Sequence, residues 1–215
     1  VTADGQSKTY GAANPTLSLT YAGFQNSDDA TVLTTAPTAS TSADATSGVG
    51  TYSISASGGV DYNYAFSYTD GKLTVTQATL SVTADDQSRT YGAANPTLSV
   101  TYSGFLNGED ASVLTTAPTA ATTATATSSV GTYAITGSGG VANNYMFNYV
   151  DGTLTIGQAS LTVTADGQSK TYGAVNPTLS ITYSGFQNSE DASVLTTAPS
   201  ATTTATSASA IGTYA

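Results

Sequence analysis

Apolar and polar residues alternate along most of the chain with a period of two, the pattern of half-buried strands. Leu17, Leu19 and Tyr21 alternate with Ser18 and Thr20, which predicts one strand. Tyr64, Phe66 and Tyr68 alternate, Asp70-Gly71 follows, and Leu73 and Val75 alternate again. Asp-Gly between two alternating runs predicts a tight hairpin whose turn residues take positive φ. Tyr145, Phe147, Tyr149, Asp151-Gly152, Leu154 and Ile156 repeat this pattern. Leu80 with Val82, and Leu161 with Val163, start further strands. Gly50 to Ser57 reads as a strand with Tyr52 and Ile54 inward, and Thr34 to Ser47 as an extended loop followed by a lean edge strand. Ser27-Asp28-Asp29 to Leu33 breaks the alternation. Two acids after a serine suit a helix start, where free N–H groups and the dipole favour negative charge. One or two helical turns are expected there, with Val32 and Leu33 touching the core.

These patterns recur at one fixed interval. Tyr10-Gly11-Ala12-Ala13-Asn14-Pro15 returns at Tyr91 to Pro96 and, with Val175, at Tyr172 to Pro177, so the step is 91 − 10 = 81 residues. Val49-Gly50-Thr51-Tyr52 returns at Val130 and Ile211 with the same step and no insertion. Such a period is too long for a solenoid coil and long enough for one small domain. The chain divides into repeats at 1–78, 79–159 and 160–215. Each is expected to hold six or seven strands and one helical turn. The expected fold is all-β: tandem Ig-like or E-set-like sandwiches, with a β-grasp-like sheet on the helical turn as the alternative. The junctions Val75 to Leu80 and Ile156 to Leu161 contain no flexible tether, so a semi-rigid rod is expected. The third copy stops before a counterpart of the Tyr145-to-Ile156 run. This predicts exposed core and unpaired edges, to be met by a continuing chain or by strands from another copy. Val1 falls inside the pattern, as in a segment of a longer, processed protein.

Composition narrows the function classes. The 215 residues include 14 acidic and 4 basic side chains, a net charge of −10, and no Cys, His or Trp. No thiolate or imidazole is available as nucleophile, base or soft-metal ligand, and disulfides are excluded. The charge repels a phosphate backbone, so no nucleic-acid partner is expected. No apolar run is long enough for a membrane-spanning helix. Thr (42) and Ser (27) are abundant, and 14 Tyr supply core bulk to a chain poor in aliphatic residues. The Ser/Thr tracts suit O-glycosylation, and no Asn-X-Ser/Thr sequon with a non-proline X occurs.

The series Tyr-Gly-X-X-Asn-Pro-Thr-Leu, Tyr-X-Gly-Phe, Gly-Thr-Tyr, Asn-Tyr and Asp-Gly-X-Leu-Thr resembles the MBG repeat family (mostly beta, glycine-rich) of the Tyr-Gly-X type, over the whole chain. The resemblance implies tandem modules in large bacterial surface or secreted proteins, typically adhesin-like. It implies an extracellular location and no catalytic residues. The function it suggests is a structural stalk of a cell-surface adhesin or extracellular fibre, spanning distance and bearing tension. The alternative is an adhesion module that binds glycan or protein. Neighbouring repeats of the same chain are the expected partners, with further copies packed head-to-tail or laterally in a fibre, and with host or matrix glycan or protein. No enzymatic activity is expected.

Candidate sites are few. Asp28/Asp29, Glu109/Asp110 and Glu190/Asp191 could offer oxygens to Ca²⁺, but helix-start charge pairing is the simpler reading. The acids after each junction, Asp4, Asp85, Asp86 and Asp166, are weaker Ca²⁺ candidates. No cofactor is expected, Ca²⁺ being the one weak candidate. Lys8 and Lys170 occupy equivalent positions, with Arg89 between them. Arg cannot form the amide of an isopeptide crosslink, so a hydrogen bond or an ion pair to a carboxylate is expected at this position. Tyr62 is matched by Asn143 and is the tyrosine expected to be exposed. Tyr10 and its copies read as strand ends before an Asn-Pro turn.

Overall fold

The computed structural model describes all 215 residues, Val1–Ala215. The first repeat contains β1 (Thr2–Ala3), β2 (Gln6–Thr9), β3 (Leu19–Thr20), β4 (Thr38–Thr41), β5 (Gly50–Ser57) and β6 (Gly71–Thr76). The second, whose first strand begins at Ala78, one residue before the expected boundary, contains β7 (Ala78–Ala84), β8 (Gln87–Thr90), β9 (Val100–Ser103), β10 (Thr119–Thr122), β11 (Gly131–Ser138), β12 (Tyr145–Val150) and β13 (Gly152–Gly157). The third contains β14 (Thr162–Ala165) and β15 (Ile181–Ser184). One turn of 3-10 helix follows β3, β9 and β15, at Ala30–Val32, Ala111–Val113 and Ala192–Val194. The fold is all-β and sandwich-like, with one short helical turn in each repeat.

The first repeat shows how the layers form. A four-stranded sheet runs in the order β4-β5-β6-β2, and the short pair β1-β3 covers it. Strands β5 and β6 are antiparallel, whereas β2 and β6 are parallel. Ile54 of β5 and Leu73 of β6 point inward and bury completely against Ala3 and Ala43, with Val1, Leu17 and Leu19 packed around them. Removing two such side chains from water contributes on the order of 4 kcal/mol. The threonines and serines between them face solvent, as the period of two requires. The second repeat has the strand orders β12-β7-β9 and β10-β11-β13-β8.

By contact density the chain forms two compact units. One is Val1–Asp85 with Leu98–Ala121 and Ile135–Gly152; the other is Asp86–Thr97 with Thr122–Ala134 and Thr153–Ala215.

The hairpin expected around Asp-Gly does not form. Strand β12 pairs in parallel with β7, from Tyr145↔Ala78 to Val150↔Thr83, while β13 lies in the other sheet. Asp151 is therefore a corner between sheets. Neither Gly71 nor Gly152 has positive φ. Each is needed for a close backbone approach instead: a Cβ on Gly152 would lie 2.3 Å from the carbonyl oxygen of Ala84. In the first repeat Tyr64 to Tyr68 is not a strand, and only the bridge Thr2↔Thr69 corresponds to the β7–β12 ladder.

The helical turns form where expected, but the valine in each does not reach the core. Each is a single 3-10 turn, and Val32, Val113 and Val194 are exposed. Three residues cannot present a continuous apolar face, so only Leu33, half-buried, turns inward. In the third repeat β14 and β15 pair, but residues 196–215 form no strand. Val163 is 39% exposed where Val82 is fully buried. Tyr62 is 96% exposed, as its lack of an aromatic counterpart predicts.

Candidate functional site: the inter-repeat joint

A single residue, Gln77, separates β6 of the first repeat from β7 of the second. Its amide donates to the carbonyls of Ala142 and Asn143, both at 3.2 Å. The Ala78 N–H donates to the Asn144 carbonyl at 3.0 Å, and the Val49 N–H to the Asn144 side-chain oxygen at 3.0 Å. The junction is thus held on both flanks by backbone and amide groups.

At its centre lies a buried cluster drawn from both repeats. Tyr10 and Val75 come from the first, and Ala78, Leu80 and Tyr145 from the second. Tyr10 and Tyr145 meet edge to face, with centroids 5.6 Å apart and planes at 84°, a favoured aromatic geometry. Both hydroxyls converge on one carboxylate. Tyr10 donates to Glu109 Oε1 at 2.6 Å, and Tyr145 donates to Glu109 Oε2. The Tyr145 oxygen in turn accepts the Leu106 N–H at 2.9 Å.

Gly11 completes the contact. It has φ +79°, and a Cβ there would lie 2.5 Å from Leu106 Cδ1. The Tyr-Gly pair therefore has two jobs: the tyrosine reaches the next repeat's acid, and the glycine leaves room for the side chain at 106. The second joint repeats the Tyr-Gly part of this arrangement. Tyr91 donates to Glu190 Oε1 at 2.6 Å, and a Cβ on Gly92 would lie 2.5 Å from Gln187 Cβ. A cleft of about 310 Å³, lined by Tyr91, Leu161, Phe186, Glu190 and Leu195 among others, opens beside that bond. In the first repeat the matching acid is Asp28, one methylene shorter, and it accepts only from Tyr64 of its own repeat, at 2.7 Å.

The two members of each acidic pair therefore differ in role. Asp28, Glu109 and Glu190 face tyrosine hydroxyls. Asp29, Asp110 and Asp191 cap the 3-10 turns by accepting from Thr31, Ser112 and Ser193 N–H. Hydrogen bonds from Thr31, Ser112 and Ser193 hold these three carboxyls below their ordinary range. The acids after the junctions pin strand to strand. Asp4 accepts from Ser18 and Thr20 hydroxyls at 2.6 Å each, Asp85 from Ser99 at 2.6 Å, and Asp166 from Ser180 at 2.7 Å. Asp86 accepts the Thr153 N–H at 2.7 Å. No group of three acidic side chains is brought together.

The cations do not pair with carboxylates as expected. Lys8 is buried, and its ammonium donates to the carbonyls of Ala12 and Asp44. Lys170 donates to Ala174 and Thr206 carbonyls. Arg89 donates to Asn95 Oδ1 and to the carbonyls of Thr90 and Thr125.

Burial first, and then the bond to Glu109, push the Tyr145 phenol from 10.0 up to about 12. The bond to Glu109 also raises Tyr10. Below pH 10 both phenols are neutral, folded or unfolded, and the joint's contribution is complete. As pH rises from 10, the unfolded chain ionises first, so the stability tied to Tyr145 is lost between pH 10 and about 12. Ultraviolet titration of the 14 tyrosines should show a last step near pH 12 that coincides with loss of structure and is absent in Tyr145→Phe.

The joint is not legible in the sequence. Tyr10 and Glu109 are 99 residues apart, so no local pattern links them. The available signal was the recurrence of Tyr-Gly and of the acid at the same 81-residue step.

A family model described as the MBG domain (YGX type) matches residues 1–74, 80–155 and 161–215. No curated protein matches the chain.

Proposed function

Because the chain belongs to the MBG domain family of the YGX type, and its first two repeats share a buried joint, we propose that it is a structural stalk segment of a bacterial cell-surface adhesin or extracellular fibre. Its task is to span distance and carry tension. The observation that supports this most directly is the Tyr10–Glu109–Tyr145 link across a one-residue junction. A chain built only to display separate binding domains has no use for a carboxylate shared between neighbours. Partners in this reading are the adjoining repeats and further copies in a fibre. No metal ion, cofactor or catalytic step enters it. No helix is long and apolar enough to cross a membrane.

The binding-module reading draws on Tyr62, which stands exposed beside the exposed Val60 in the first repeat alone. An aromatic face of this kind suits a sugar ring.

Small-angle scattering on the full chain tests the stalk. An extended profile that keeps its maximum dimension across ionic strengths is expected. A compact profile, or one of freely jointed beads, would overturn it. Signal on a glycan array that disappears with Tyr62→Ala would favour the binding module instead.

A further inference from the structure

The strands through which each repeat receives and passes on tension lie side by side and point the same way. In the first repeat the chain enters through β1 and, after Asp4-Gly5, through β2; it leaves through β6. Strands β2 and β6 are parallel neighbours, paired from Gln6↔Leu73 to Thr9↔Thr76. The Tyr10 N–H extends this ladder to the Thr76 carbonyl at 2.8 Å. In the second repeat β8 and β13 match them, from Leu154↔Gln87 to Gly157↔Thr90, with the Tyr91 N–H on the Gly157 carbonyl at 2.8 Å. When the two ends of a repeat are pulled apart, parallel terminal strands must slide past one another along their length. All rungs are then loaded at once. A ladder pulled open from one end breaks rung by rung, each break needing far less force. Parallel pairing also requires a long connection, here 67 residues from Gln6 to Leu73, which slows folding. A sheet of nearest-neighbour hairpins would avoid that cost.

A clamp of this kind holds only if the partner strand is itself anchored. The buried cation supplies the anchor. Lys8 lies opposite Val75 in the register, and its ammonium ties β2 to the carbonyl of Asp44, beyond β4. Asn14 reaches the same loop at the Ala43 carbonyl, 2.6 Å away. Arg89 lies opposite Ile156 and reaches Thr125, with Asn95 on Ala124 at 2.6 Å. Lys170 and Asn176 make the same pair of contacts, to Thr206 and Ala205. Burying the Lys8 ammonium without a carboxylate is costly and calls for a mechanical or structural return. Arg89 and Lys170 make the matching contacts from half-buried positions.

We propose that β2·β6 and β8·β13 are shear clamps that bear the load on this chain, and that the carbonyl-caged cation at 8 and 89 is the clip that keeps the clamped strand in place. This rests on the stalk reading and adds where the tension is held. Single-molecule force measurement on the full chain tests it, since a chain without cysteine accepts handles at chosen sites. Pulled from its ends, the chain is expected to give two high-force ruptures, each releasing roughly 25 nm, because an extended residue spans about 3.5 Å. Handles at Thr9→Cys and Thr76→Cys, kept reduced until attachment, grip two paired and exposed residues and unzip the first clamp. The first repeat should then open at a force at least about threefold lower, as forced opening follows the unfolding barrier along the pulled direction. Equal forces in the two geometries would overturn the clamp. Lys8→Met should weaken or abolish one of the two end-to-end ruptures and leave the other. Two unchanged ruptures would remove the clip. The clamp can fail while scattering still reports an extended chain, so it and the stalk reading fall separately.

Discussion

Replacing Gly152 by alanine is expected to destabilise the second repeat by about 3 kcal/mol or more, among the largest effects of any single methyl group in the chain. The added Cβ would sit 2.3 Å from the Ala84 carbonyl oxygen and 2.9 Å from its carbon. Both are main-chain atoms of a strand paired on two sides, β12 and β9, so they cannot move aside as a flexible side chain can. Gly71→Ala should act likewise on the first repeat, where the Ala3 carbonyl oxygen lies 2.4 Å away. Gly167→Ala is the control: its Cβ would meet nothing within 4 Å and its φ is not positive. That substitution should be neutral or stabilise by a few tenths of a kcal/mol through the unfolded chain. Denaturant midpoints of the three variants would check the ranking.

Tyr10→Ala is expected to cost about 3–5 kcal/mol, whereas Tyr172→Ala should stay within about 0.5 kcal/mol. The two tyrosines occupy the same position of the repeat. Tyr10 is 4% exposed between Val75, Leu80 and Tyr145, and Tyr172 is 71% exposed. Removing Tyr10 takes away a ring on one side of the joint and leaves Glu109, on the other side, with Tyr145 as its remaining hydroxyl partner. Thermal melts should therefore show loss in both repeats rather than in the first alone. Tyr10→Phe and Glu109→Gln, singly and together, isolate the hydroxyl–carboxylate term, for which a charge-assisted bond sets about 1.5–3 kcal/mol. A coupling near zero would make the joint a matter of ring packing alone.

The strands were legible because half-burial writes itself into the sequence every second residue. Leu73, Val75, Leu154 and Ile156 were all assignable to an inner face, and all four are buried. Their partners were not legible. Alternation is the same whether a strand pairs with its chain neighbour or with one 67 residues away, and Asp-Gly looks the same at a hairpin and at a corner. Asp-Gly points to a positive φ at Gly152, whereas the close Ala84 carbonyl is the reason for the glycine. The acidic pairs were visible as a recurring feature, but the division of labour within each, one acid toward tyrosines and the other capping a 3-10 turn, depends on geometry that spacing does not carry. An exact repeat also hides its own interfaces, because a residue that contacts the next copy recurs as faithfully as one that contacts its own core.

The single-residue junction at Gln77 also constrains how such a chain can change in length. Each Tyr-Gly pair needs an acid and a side chain from the copy that follows, and each such copy offers both. Gaining or losing a full 81-residue period restores the link wherever the copy that follows carries the glutamate, as the second and third do and the first, with Asp28, does not. A change of any other length puts tyrosine and acid out of register. The reach of the molecule is therefore quantised, and recombination between near-identical copies can lengthen or shorten it without designing a new contact.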